Sequence, residues 1–464
     1  MRIEKDSLGS RQIPDDVYYG IQTDRAVENF PISGLKAHPR FIDAYLYVKK
    51  AAALANLKAG VLPKESARAL VKACDEILAG SLRDQFLVDV FQMGAGTAFN
   101  MNVNEVIANR ANEILERPKG SYAPVHPNDH ANRGQSTNDT FPTAMRLALL
   151  LILKEYLHEP LEALEKEFFS KGNEFASILK SARTHLQDAV PIRLGQEFSA
   201  YGEALRKCRL SLLEAEKSLH ELGIGGSAVG TGLNVAPGYR EDMVKELAAM
   251  TGLKLVPAKD MREAMQSQRP MAEVSSALRN LSLEIIRIAN DLRLLASGPT
   301  TGFAEINLPA TAPGSSIMPG KVNPGILEMI NMVAFQVMGA DATVALAVQA
   351  GQLELNVMMP VMAYNLNFSA TILGNALKIL RDKCVMGITA NKERCQHYAE
   401  GSLGLATALN SFIGYAKAAE VAKEALASKK TVIQVIREKK ILSEDQIKKI
   451  MDPFRMTEPG IPGK

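Results

Sequence analysis

The sequence predicts a mostly α-helical protein organised around a bundle of long helices, on three observations. Leu205, Cys208, Leu212, Ala215, Leu219 and Leu222 are spaced 3, 4, 3, 4 and 3 apart, which lays one apolar stripe along a single helix running through Leu222. Leu278, Leu281, Ile285, Ile288, Leu292 and Leu295 repeat that spacing. Both seams suit the near-parallel packing of long bundles, including a bundle shared between subunits. The third observation is size. With 464 residues and 47% hydrophobic composition, the chain can bury large cores and divides into roughly two or three domains.

Residues 1 to about 45 are rich in turns and aromatic residues and read as an irregular cap with a short hairpin. Helical text begins at Phe41. The apolar run Leu147 to Leu153 follows Pro142 and is too short to span a membrane, so it reads as a buried helix. Two further apolar-periodic segments cover Ile326 to Val348 and Leu353 to Leu380. Asn323 is the expected N-cap of the first, with Pro324 at its first helical position. Pro360 is expected to kink or split the second. Beyond about residue 392 the helices shorten into a small C-terminal domain with a loose tail from Thr457.

Charge and cysteine usage exclude several classes. Fifty-four Lys and Arg stand against 51 Asp and Glu, so no basic footprint for nucleic acid or a membrane surface is present. The first residues carry no apolar secretory core, and Cys74, Cys208, Cys384 and Cys395 are scattered without a CxxC, which suits reduced thiols in the cytoplasm. His126 and His130 stand four apart, but Pro127 argues against a helix there and no third ligand is grouped with them, so no metal site is read. No Walker-type or GxGxxG loop implies a nucleotide.

Four polar segments stand out, two of them glycine-bearing. The richest is Pro313 to Pro324, which packs Ser315, Ser316, Lys321 and Asn323 into a loop stiffened by three prolines and loosened by two glycines. A helix start beside Lys321 favours a bound carboxylate or phosphate. The others are Gly94 to Thr97, leading into Asn100, Asn102 and Asn104; Gln135-Ser136-Thr137-Asn138-Asp139; and Arg183-Thr184-His185-Leu186-Gln187-Asp188. Ser136 to Asn138 also suit a plain helix cap, and an isolated histidine such as His185 is commonly structural.

Together these segments supply hydroxyls, amides, one imidazole and one lysine. That inventory fits a carbon acid, in which removing a proton beside a carboxylate creates a dianionic, enolate-like group that needs preorganised donors. A serine serves as base only if its alkoxide is held by backbone N–H groups, a helix dipole and a lysine, all of which the residues after Ser315 can provide.

GSSIMPGKVNP at 314–324 resembles the signature of the aspartase/fumarase superfamily, and GAGT, QSTND, THLQDA and GTGLN resemble its other segments. The opening RIEKDSLGSRQIPDDVYYGIQT, the ending MTEPGIPGK and the form QSTND resemble the branch that deaminates L-aspartate, whereas VHPND, DTFPTAM and GGSAVGTG lean towards class II fumarate hydratase. The resemblance implies a mostly α, three-domain subunit (1–138, 139–392 and 393–464) whose central long-helix bundle assembles into a multi-subunit helical core. A homotetramer with active sites shared by three subunits follows from it. It also implies reversible anti elimination of ammonia from a small dicarboxylate, L-aspartate, through an aci-carboxylate intermediate. No cofactor is implied, beyond an activating divalent cation in some relatives.

Carried over by motif, Ser315 takes the C3 proton. Lys321, Asn323 and Thr184 hold the C1 carboxylate, Thr97, Ser136 and Thr137 meet the other carboxylate with help from Ser316, and Asn138 and His185 lie near the leaving amino group. Glu328 resembles the glutamate that pairs with the histidine. Thr300 and Met359 depart from the family pattern, which bears on substrate detail rather than reaction class. The competing expectations are fumarate hydratase and a scaffold that kept the fold without turnover.

Overall fold

The computed structural model describes residues 1–463. The chain is 62% helix and 8% strand, the mostly helical class the seams predict, and among the described residues strands pair only as two-stranded ribbons. It divides into two compact units, one of Met1–Glu159, Leu210–Ser282 and Phe335–Gly374, the other of Pro160–Arg209, Leu283–Ala334 and Asn375–Lys464. The helices Leu194–Glu216, Arg269–Leu295, Gly325–Gln349 and Met359–Lys383 each contribute residues to both.

The first unit opens with the expected hairpin, Arg2–Asp6 against Gly9–Ile13. A helix at Ile21–Asn29, within the stretch expected to be irregular, follows, and then the helix Pro39–Lys58, started by His38, whose Nδ1 accepts the Arg40 N–H at 3.1 Å, with Pro39 at the first position where no N–H is needed. Its aromatic face meets the next helices ring against ring, tilted for Phe41 and Phe141 with centroids 5.1 Å apart and edge-on for Tyr45 and Phe99 at 5.3 Å. The helix Thr137–Ile152 is buried along nearly its whole length, as its apolar run requires.

The seam at Leu278 to Leu295 lies wholly within Arg269–Leu295, and all six of its residues are buried. The other seam is shorter than its spacing suggests. Its helix ends at Glu216; Leu219 sits in a 3₁₀ turn and Leu222 in a short strand beside Val256–Pro257. Both leucines remain fully buried, so the apolar pattern is satisfied without the helix. The buried Arg146 guanidinium donates to the carbonyls of Ser218 at 3.1 Å and Glu221 at 2.6 Å, which takes acceptors away from a continuing helical ladder.

Pro360 neither kinks nor splits a helix. It stands in the first turn of Met359–Lys383, where its missing N–H is harmless, and the preceding residues form a turn with Leu353 at φ 51. The Asn356 amide closes that turn by donating to the carbonyls of Ala347 and Val348, both at 3.0 Å. Pro127 likewise begins a helical turn instead of preventing one. Pro127–Ala131 is a single π-turn in which His126 Nδ1 accepts the Asn128 N–H and His130 Nδ1 accepts the His126 N–H.

In the second unit, the C-terminal segment has a core of its own formed by Leu405, Leu409, Val421, Val432, Ile436, Ile447 and Ile450. Thr431 with Gln434, and Ser443 with Gln446, cap its short helices reciprocally.

Candidate active site

Thr97 begins the helix Thr97–Ile114, directly after a left-handed turn in which Ala95 has φ 60 and Gly96 φ 79. Glycine is required at 96, because a Cβ there would lie 2.0 Å from the Phe141 ring. Ser136 caps the helix Thr137–Ile152. Its Oγ accepts the Asn138 N–H at 3.2 Å, and Asp139 returns the bond by accepting the Ser136 N–H at 3.0 Å. Two candidate hydroxyls, Thr97 and Thr137, therefore sit at helix N-termini, where partial positive charge favours an anion.

The Gln135–Asp139 segment is tied to the glycine-rich loop at 225–232. Asp139 Oδ2 accepts the N–H groups of Gly225 at 3.1 Å and Ser227 at 2.9 Å, while the Asn138 amide donates to the Ala228 carbonyl at 2.8 Å. Burial pushes the Asp139 carboxyl up to about 7. The capping and binding readings of Ser136 to Asn138 are thus compatible, since the cap leaves the Thr137 side chain free of any cap bond.

In the second unit, Leu179–Thr184 pairs with Gln187–Arg193, and His185 and Leu186 form the two-residue tip with φ 55 and 61. Two positive φ values match the primed turns of tight hairpins, yet neither residue is the glycine or asparagine such turns prefer. Strain of this kind costs about 1–3 kcal/mol per residue and accumulates at functional positions. The root of the hairpin is fixed. Glu305, fully buried, pairs with Lys180 at 2.9 Å and Arg183 at 2.8 Å, and Lys180 also pairs with Glu197 at 2.8 Å. The Arg183 guanidinium lies 4.1 Å from the Phe303 ring centre.

The serine loop is closed at its base. Gly314 N–H donates to the Lys321 carbonyl at 2.7 Å, and the Asn323 side-chain amide donates to the Gly314 carbonyl at 2.6 Å. Within this ring Ser315 Oγ accepts two backbone N–H groups, from Ile317 at 3.2 Å and Met318 at 2.9 Å. Asn323 is consequently not the N-cap that its place before Pro324 suggests. Its side chain is committed to the loop, and the Pro324 carbonyl accepts the first helical N–H groups, from Leu327 and Glu328. The helix starts at Gly325.

Lys321, Asn323 and Glu328 line a cleft of about 1050 Å³ with Asn290, Arg293 and Ser297. Ser316 and Lys321 are exposed, as are Thr184 and His185 at the hairpin. Among the described residues neither His185 nor Glu328 forms an ion pair within the single chain. The structure thus gathers the candidates into three groups: Thr97 and Ser136–Asn138 in the first unit, the Thr184–His185 tip and the Ser315–Glu328 segment in the second.

One residue lay hidden in the sequence. Lys49, in the helix Pro39–Lys58, is 2% exposed and donates to Asn100 Oδ1, Gln135 Oε1 and Asn132 Oδ1. Burial pulls its ammonium down to about 7. The available signal was its place in the stripe Ile42, Tyr45, Leu46, Lys49, Ala52 and Ala53, whose other members are all apolar.

Over 463 residues, all of this chain and 97% of its relative, the sequence is 50% identical to the aspartate ammonia-lyase of Bacillus subtilis. A lyase family model matches residues 9–339, and a model of the fumarase C C-terminus matches residues 405–458. The chain belongs to the aspartase/fumarase superfamily. Another superfamily member, the aspartate ammonia-lyase of Helicobacter pylori, is 48% identical over 99% of this chain and 98% of its own. A solved Brucella melitensis structure described as fumarate lyase:delta crystallin superposes with a TM-score of 0.95 at 50% identity, covering 99% of this chain and all of that one. A class II fumarase from Schistosoma mansoni superposes at 0.96 with 36% identity, covering 99% of each. The superfamily fold thus spans both ammonia and water chemistry, and the choice between them falls to the site and the full-length similarity.

Proposed function

We propose that this chain is a carbon–nitrogen lyase that converts L-aspartate to fumarate and ammonia, reversibly. The observation that carries the chemistry is the pair of backbone N–H groups on Ser315 Oγ. They favour the alkoxide, and the closed loop keeps them in place. Similarity to aspartate ammonia-lyases over the full length supports the choice of substrate.

Ser315 as alkoxide takes the C3 hydrogen as a proton. The electron pair moves onto the adjacent C4 carboxylate as an aci-carboxylate, then returns to form the C2–C3 double bond as ammonia leaves C2. Thr97, Ser136 and Thr137, assisted by Ser316, hold the C4 carboxylate where the extra charge develops. Lys321, Asn323 and Thr184 hold the C1 carboxylate, and Asn138 and His185 attend the amino group, with Glu328 supporting the imidazole. Holding both ends fixes the C–H bond against the base, which is catalysis by position as much as by proton transfer. We assign no cofactor to these steps; a divalent cation would act only as an activator.

Shared active sites in a homotetramer belong to the same proposal. The helix Gly325–Gln349 is long and apolar, yet only 33% of its most apolar stretch is buried in the single chain, and Met332, Phe335 and Leu346 are exposed along it. Such a face suits burial against further copies. The four cysteines are free thiols, in keeping with a cytoplasmic setting.

Fumarate hydratase is the second reading, favoured by the Schistosoma mansoni superposition. Incubating fumarate with ammonium, and separately in buffer alone, tests the choice: aspartate should form in the first, and malate without aspartate would reverse the assignment.

A further inference from the structure

We propose that Lys49 is a positioning residue: a buried cation that ties together the two segments meeting the C4 carboxylate and biases that end of the site towards negative charge. This rests on the lyase reading above. The Lys49 ammonium donates to Asn100 Oδ1 at 2.7 Å, Gln135 Oε1 at 2.9 Å and Asn132 Oδ1 at 3.1 Å. Asn100 lies three residues after Thr97 on the same helix, and Gln135 immediately precedes Ser136. One side chain therefore anchors both the Thr97 and the Ser136–Thr137 donors.

All three acceptors are neutral amides. Among the described residues no carboxylate is in ion-pair contact with Lys49. Asp139, the carboxylate whose field acts on it, has its own oxygens occupied by the N–H groups of Ser136, Gly225 and Ser227. A buried ammonium without a paired anion is costly, and a neutral polar side chain could bridge the same amides. The charge is accounted for if the missing partner is the substrate. As the electron pair moves from C3 onto the C4 carboxylate, that group passes from one negative charge to two. A cation held behind the neutral amides in a dry environment lowers the energy of this change without touching the substrate.

The test uses the full-length protein near or below neutral pH, where Lys49 keeps its proton, with kcat and KM for L-aspartate and competitive inhibition constants for succinate and for butyrate, which lacks the second carboxylate. Lys49→Met should weaken succinate by roughly ten-fold or more and butyrate by less than about two-fold, and should lower kcat by a larger factor than it raises KM. Asn100→Asp, of equal size, places a carboxylate against the ammonium and should shift the inhibitors in the same direction; circular dichroism verifies the fold of each variant. Parallel shifts of both inhibitors, unchanged succinate inhibition in a folded variant, or loss of fold in both variants would overturn the proposal by leaving Lys49 a structural part. A wild-type protein that neither deaminates aspartate nor binds succinate would instead remove the lyase reading, independently of Lys49.

Discussion

The backbone N–H of Met318 donates to Ser315 Oγ at 2.9 Å, and the Ile317 N–H joins it at 3.2 Å. Two donors on one hydroxyl oxygen are of little use to a neutral serine whose proton must find another acceptor. They are of considerable use to an alkoxide.

Ser315→Ala removes the oxygen but not the donors. It should lower kcat by about 10²- to 10⁴-fold with little change in KM, read by steady-state kinetics on L-aspartate. Lys321→Ala should raise KM as well as lower kcat, since it holds a carboxylate in ground and transition states alike. A Ser315→Ala enzyme with wild-type kcat would remove the base from the mechanism.

The turn before Thr97 is set by sterics. Gly96→Ala would put a Cβ 2.0 Å from the Phe141 ring at φ 79, and Phe141 is packed between Phe41 and Tyr45. The substitution should cost about 3 kcal/mol, visible as a lower urea midpoint at unchanged slope, and should displace Thr97. A variant as stable as wild type would mean that the ring can move aside.

Glu305 joins the hairpin strand to its support through Lys180 and Arg183. Glu305→Gln leaves Arg183 without its carboxylate, while Lys180 keeps Glu197. The loss should be about 3 kcal/mol, with faster amide exchange along Leu179–Thr184 than in the C-terminal core. Unchanged exchange would show that the strand pairing alone fixes the Thr184–His185 tip.

Lys49 also gives stability a pH dependence. Its ammonium is lowered by burial to about 7 from the ordinary 10.5, so between those values the unfolded chain carries a proton that the folded chain has released. Stability from this group therefore rises with pH across that window and is lowest below pH 7. Urea midpoints of the ligand-free protein from pH 7 to 9 should climb more steeply for wild type than for Lys49→Met. Equal slopes would place the wild-type ammonium in a far more polar setting.

Much of the fold was legible because apolar spacing reports burial directly. Leu278 to Leu295 kept the periodicity along one helix, and the run at Leu147 to Leu153 is as buried as its composition demands. The same signal could not locate helix ends. Leu219 and Leu222 are buried in register with their seam, but Arg146, distant in sequence, captures the carbonyls that would have continued the helix. Asn323 before Pro324 carried every local mark of an N-cap, and its amide went to Gly314 because closing the loop satisfies a carbonyl that the cap would leave bare. In sequence Lys49 beside Lys50 reads as solvated surface, and only the three-dimensional gathering of Asn100, Asn132 and Gln135 makes its burial tenable.

The central claim, that this site expels ammonia rather than water, is tested most directly by measuring fumarate formation from L-aspartate and from L-malate, followed by the ultraviolet absorbance of the conjugated diacid, on one purified preparation. The account predicts turnover of aspartate with release of ammonia and at most a trace of malate dehydration. Brisk dehydration of malate beside inert aspartate would contradict it.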